Sequence, residues 1–123
     1  MSEKKNEAIC VDFDGVLAEY NGFQGEDHCG EPISGAREFL EKLISVGLEF
    51  VIFTARDPER VKKWFEKYSF PKPKEITNIK IPAPVYIDDR AIKFEGNFSK
   101  LVLDLKNFKP YWRTEKKFEK YFK

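Results

Sequence analysis

Only two cysteines, Cys10 and Cys29, and one histidine, His28, occur in 123 residues. Two thiols cannot make the disulfide framework of a small secreted domain, so free thiols in a reducing compartment are expected. Cys10, His28 and Cys29 offer three ligands without regular spacing, a poor pattern for zinc. Cys10 reads better as a buried strand residue, and His28 as solvated or in contact with substrate. Long apolar runs are missing too. None approaches the roughly 20 residues of a membrane span, and "MSEKKNEA" lacks the apolar stretch of a signal peptide. The chain therefore reads as soluble and cytoplasmic, with no membrane partner. Repeats, low-complexity segments and interdomain linkers are absent, so residues 1–123 read as one domain.

A large net charge is also absent: the total is +1, with no global bias toward nucleic acid. The distribution is uneven, however. From Lys106 to Lys123 there are seven Lys and Arg against two Glu, a local excess of +5, so the preceding 105 residues carry −4. This basic extension, residues 106–123, also holds Phe108, Tyr111, Trp112, Phe118, Tyr121 and Phe122. It is either a surface for nucleic acid or another phosphate-rich partner, or a C-terminal helix with packed aromatics and solvated lysines. The second reading is favoured, since charge runs are usually solvated faces.

What is present is apolar strands alternating with amphipathic helices. "EAICVDF" (7–13), "LEFVIFTAR" (48–56) and "VYIDDR" (85–90) read as buried strands running into polar tips. "ISGAREFLEKLISVG" reads as a helix with Ala36, Phe39, Leu40, Leu43 and Ile44 on one face, Ser34 as cap and Gly47 at its end. "DPERVKKWFEKY" opens a second helix, with Asp57 as N-cap, Pro58 in the first turn, and Val61, Trp64, Phe65 and Tyr68 as its stripe. A short strand is placed near Ile76 and a further helix from about Asn97. The polar, glycine-rich stretch 18–31 reads as a long loop. This alternation implies βαβ units and an α/β fold, a Rossmann-like three-layer α/β/α domain with a mainly parallel sheet.

Three strand ends then hold polar residues: Asp12 and Asp14, Thr54, and Asp88 and Asp89. In open parallel sheets, ligands bind outside the carboxyl ends of the strands. Four carboxylates gathered there would repel one another, and a hard divalent cation such as Mg²⁺ resolves this. The plainer reading is that strand-end aspartates only form turns. Two pairs, each closing an apolar strand, count against it.

In this order, "DFDGV", a strand ending in Thr54, Lys80 and a closing "DD" resemble the haloacid dehalogenase (HAD) superfamily of phosphohydrolases. The resemblance spans roughly residues 7–96. "PISGAREFLEKL", "FTAR" and "YIDDRAIKFEG" are similar to a small group of that superfamily found in bacteria and phages. The resemblance implies that Asp12 attacks phosphorus to form an aspartyl-phosphate and that Asp14 serves as general acid and base. It further implies that Thr54 binds the phosphoryl oxygens, with Ala55 beside it, and that Lys80 offsets the developing charge. Mg²⁺ would be held by Asp12, the Asp14 carbonyl, Asp88 and Asp89. Lys72 and Lys74 lie near Lys80 in sequence; Lys80 is preferred for its spacing of eight residues from Asp88. Arg56 and Arg90 either clamp a second anionic group of the substrate or pair with Asp57, Asp89 or another local carboxylate.

Many members of that superfamily carry an inserted cap domain. Here about 17 residues separate Gly15 from the first helix, and about a dozen separate the second helix from Lys80. Neither gap holds a folded domain, which starts near about 50 residues. A capless core is expected, with 18–31 as a flap at best. The expected substrate is a phosphorylated small molecule or nucleic-acid end, and a neighbouring subunit is one way to cover the mouth. Two competing readings stand beside the phosphatase. One is a receiver-like phospho-accepting module, although there the acidic pair comes early in the chain and the acceptor late. The other is a catalytically retired HAD fold that acts as an interaction domain.

Overall fold

The computed structural model describes residues 8–25 and 28–122. The chain packs as two compact units, Met1–Asp88 and Asp89–Lys123.

The first unit is built on four short parallel strands, β1 (Ile9–Asp12), β2 (Phe50–Phe53), β3 (Glu75–Thr77) and β4 (Tyr86–Ile87), in the order β3-β2-β1-β4. Its helices are α1 (Ala36–Ser45), between β1 and β2, and α2 (Pro58–Lys67), between β2 and β3. The mainly parallel sheet with connecting helices is the α/β class that the alternation of patterns implies.

Strand alternation assigns the faces. Val11 and Phe13 from the first strand segment, and Phe50 and Ile52 from β2, join Leu40 of α1 and Val61, Trp64 and Phe65 of α2 in one buried cluster. The helices therefore pack on the same sheet face. Phe13 meets Trp64 edge-on at 4.8 Å between centroids, and Phe70 closes on Trp64 at the same distance. Such pairs add about 0.5–1.5 kcal/mol each beyond burial.

Local chemistry sets the helix ends. Asp57 caps α2 by accepting from the Glu59 N–H at 3.1 Å, with Pro58 at the first position. Gly47 follows α1 in the left-handed region, φ 87°. The Ser34 cap is a correction. Gly35 is the N-cap of α1, with φ 91° and no side-chain hydrogen bond, so the turn is made by backbone freedom instead of a hydroxyl.

The buried strand expected over 85–90 is also corrected. Only Tyr86 and Ile87 pair, and Val85 and Tyr86 are exposed, because β4 has a single partner strand and forms an edge.

The second unit contains α3 (Phe98–Asn107), whose N-cap Asn97 accepts from the Lys100 N–H at 3.1 Å, and a 3-10 turn over Glu119–Phe122. No residue of either helix is buried. The packed C-terminal helix favoured from sequence does not form; Tyr111 and Tyr121 are 68% and 69% exposed. Among the described residues no helix is long and apolar enough to cross a membrane.

Candidate functional site

The strand order reverses between β1 and β4. Two connections build outward from β1 through β2 to β3, and the chain then returns to the other side of β1. In open α/β sheets such a reversal is where ligands bind, outside the carboxyl ends of the strands, here those of β1 and β4. Asp12 is the last residue of β1, and Asp88 directly follows β4. Cys10 and Val11 pair with Tyr86 and Ile87, so the two strands end side by side. A carboxylate oxygen from each lies within 4.8 Å of the other. On the other side of β1, Asp12 is in register with Phe53, and Thr54 follows it at the tip of β2.

Cys10 reports the charges around this point. Burial pushes its thiol up from an ordinary value of 9.0; the Asp12 carboxylate adds to the shift, the Lys80 ammonium opposes it, and Asp88 adds a little more. Lys80 therefore shares the electrostatic neighbourhood of both aspartates. It is exposed on the β3–β4 connection, with its Nζ 4.6 Å from the centre of the Tyr86 ring.

Asp14 sits in the tight turn after β1. Gly15 adopts φ 83°, and its N–H donates to Ala18 O at 2.8 Å. Arg56 reaches Asp14 with both arms of its fork: Nε donates to Oδ2 at 2.8 Å and Nη2 to Oδ1 at 3.1 Å. Arg56 is buried and Asp14 largely so, with side chains at 6% and 13% exposure. Of the two sequence alternatives for Arg56, pairing with a local carboxylate is realised, and the partner is Asp14. Thr54 is buried, and its Oγ1 accepts from the Arg56 N–H at 3.0 Å. Ala55 is exposed beside it.

Loop 18–31 is anchored at its neck. Glu19 N–H donates to Glu31 O, Ile33 N–H to Leu17 O, and Trp64 Nε1 to Gly30 O, each at 2.8 Å. A Cβ on Gly30 would lie 2.0 Å from Glu19 O, so only glycine permits this closure. A cavity of about 400 Å³ is lined by Glu19, Tyr20, His28, Glu31 and Arg56, among others. His28 is exposed, Cys29 half-buried and Cys10 buried.

In the second unit, Asp89 has a side chain only 1% exposed. Its Oδ2 accepts from Trp112 Nε1 at 2.6 Å and lies 3.8 Å from Arg90 Nε. Its Oδ1 is buried and receives no hydrogen bond from the described residues. Arg90 is about half-exposed. The Trp112 contact is what sequence reasoning missed. A tryptophan 23 residues away leaves no local pattern that pairs it with an aspartate.

No protein-family model and no curated protein matches the chain. Among solved structures, it is similar to a conserved protein from Bacteroides thetaiotaomicron. That similarity has a TM-score of 0.56 at 22% identity, covering 80% of this chain and 88% of that one. At this identity the likeness establishes a shared α/β fold.

Proposed function

We propose that the chain is a Mg²⁺-dependent phosphatase of the haloacid dehalogenase type, hydrolysing a phosphate monoester through an aspartyl-phosphate on Asp12. The observation that carries this reading is Asp12 and Asp88 at the ends of neighbouring parallel strands, with carboxylate oxygens within 4.8 Å. Two carboxylates so close offer a divalent cation two oxygen ligands. The donor set is all oxygen, which suits Mg²⁺. The family resemblance assigns Asp89 to the same metal; within its own unit its buried Oδ1 accepts no hydrogen bond from the described residues. When bound, Mg²⁺ supplies charge neutralisation of the phosphoryl oxygens.

The chain's own residues do the rest. An Asp12 oxygen forms a bond to phosphorus, the bond to the ester oxygen breaks, and that oxygen takes a proton from Asp14. Water then attacks the same phosphorus and gives its proton to Asp14. The aspartyl–phosphorus bond breaks, releasing phosphate and restoring the Asp12 carboxylate. Thr54 donates its hydroxyl to a phosphoryl oxygen, and Lys80 offsets the negative charge that develops. Arg56 holds both oxygens of Asp14 and has to release at least one for a proton to pass.

That hold favours a second reading. If the pair stays closed, Asp12 accepts phosphate without rapid turnover, as in a phospho-accepting module.

Phosphate release from a panel of phosphate esters with and without Mg²⁺, comparing wild type with Asp12→Asn, tests both. Turnover that falls on the order of 10³-fold or more in the variant supports the phosphatase. Phosphoryl label that stays on wild type in acid and is released by hydroxylamine, without turnover, supports the phospho-acceptor. Equal activity of the two proteins removes Asp12 as nucleophile.

A further inference from the structure

We infer that the second unit binds single-stranded nucleic acid, and that the ester of the proposed reaction is the phosphate at the end of such a strand. The second half rests on the phosphatase reading; the first does not. Charge is the first support. Residues 89–123 hold ten Lys and Arg against five Asp and Glu, an excess of +5, whereas residues 1–88 hold twelve against sixteen, −4.

Arrangement is the second. Around the Trp112 ring lie two guanidiniums, Arg113 at 5.1 Å and Arg90 at 6.0 Å from its centre. With Lys117, Phe108 and Phe118 these groups line a cleft of about 310 Å³, which contains a single acid, Glu115. The track continues past the cleft. Phe118 stands 6.2 Å from Tyr121, and Lys120 Nζ lies 5.4 Å from the Tyr121 ring. Cations and flat rings thus alternate along one run of the surface, and the outermost ring, Tyr121, is 69% exposed.

This is the pattern that a single strand fills: phosphates on the cations, bases stacked on the rings. A duplex hides its base faces, and an acidic peptide answers the charge but leaves the rings without planar partners. The track also has an end. Trp112 Nε1 donates to Asp89 Oδ2 at 2.6 Å within the same unit, which fixes the innermost ring.

Fluorescence anisotropy of the full chain with a labelled oligothymidylate tests the binding half directly, without reference to catalysis. Micromolar affinity is expected, falling at least about tenfold between about 50 and about 200 mM salt. Arg113→Glu with Lys117→Glu lowers it about tenfold or more. Tyr121→Ala, at an exposed position where circular dichroism should be unchanged, lowers it about fivefold or more. Inorganic polyphosphate as probe responds to the charge reversal but not to Tyr121→Ala. No binding, tighter binding of polyglutamate than of the oligonucleotide, or an unchanged affinity in Tyr121→Ala overturns the inference.

Phosphate release then tests the substrate half. The charge-reversed protein should lose kcat/KM on a terminally phosphorylated oligothymidylate and keep it on p-nitrophenyl phosphate. Equal loss on both esters overturns the substrate assignment. Oligonucleotide binding with no turnover of either ester overturns the phosphatase reading and leaves the binding half standing.

Discussion

Phe13, Leu40, Ile52 and Val61 of the first unit are sealed from water in one cluster, and every one of them comes from a different element or its flank. In the second unit, Phe98, Val102 and Leu103 of α3 remain 50% exposed or more. The first unit places its polar groups at strand ends, where the sheet brings distant residues together. The second strings cations and rings along a short stretch of chain. A core fixes carboxylates to within a few tenths of an ångström, which a chemical step needs. An exposed track tolerates variation in what lies on it, which strand binding permits. The two units therefore differ in how much apolar surface they bury, and substitutions should reveal it.

The largest effect is expected at Arg56. The Arg56–Asp14 pair is bidentate and nearly dry, and removing one partner leaves a buried charge without its counterion. Arg56→Gln should lower the stability of the first unit by about 3–5 kcal/mol in urea unfolding. Arg90→Gln, at a half-exposed position in the second unit, should move the midpoint little. A small loss at Arg56 would mean that Asp14 finds another partner or a proton, and that the pair is not the lock described above.

The strand tips explain how much of this was legible in sequence. "AICVD" and "FVIF" carry short apolar runs, and they appear as the buried strands β1 and β2. Asp57 and Pro58 announce the start of α2 because capping is local chemistry. Asp12 and Asp88 could be brought together on paper because parallel topology alone places strand ends at one mouth. The failures share a physical reason. Ser34 had the right chemistry for a cap, but a left-handed Gly35 supplied the turn by backbone freedom. "VYIDDR" had the composition of a buried strand, but its place at the sheet edge decided its exposure. The tail aromatics had the composition of a core, yet Tyr111 and Tyr121 are exposed. Arg56 with Asp14, and Trp112 with Asp89, join residues 42 and 23 positions apart through side chains. Only folding reveals such pairs; for Arg56 the sequence could offer just a set of alternatives.

The smallest effect sharpens the contrast most cleanly, because it compares the same side chain in both units. Leu40 is 0% exposed inside the core cluster, and Leu103 of α3 is 60% exposed. Truncating a buried leucine to alanine loses its transfer free energy and leaves a cavity, for about 2–5 kcal/mol, whereas an exposed one typically changes stability by less than about 0.5 kcal/mol. Leu40→Ala should accordingly lower the urea midpoint of the first unit strongly, and Leu103→Ala should leave unfolding within error of wild type. The informative result would be a large loss at Leu103. It would mean that α3 buries its apolar face against something in solution, a second copy or a bound partner. Sedimentation of wild type and Leu103→Ala at matched concentration would separate these: a change in mass identifies self-association, and an unchanged mass leaves a bound partner.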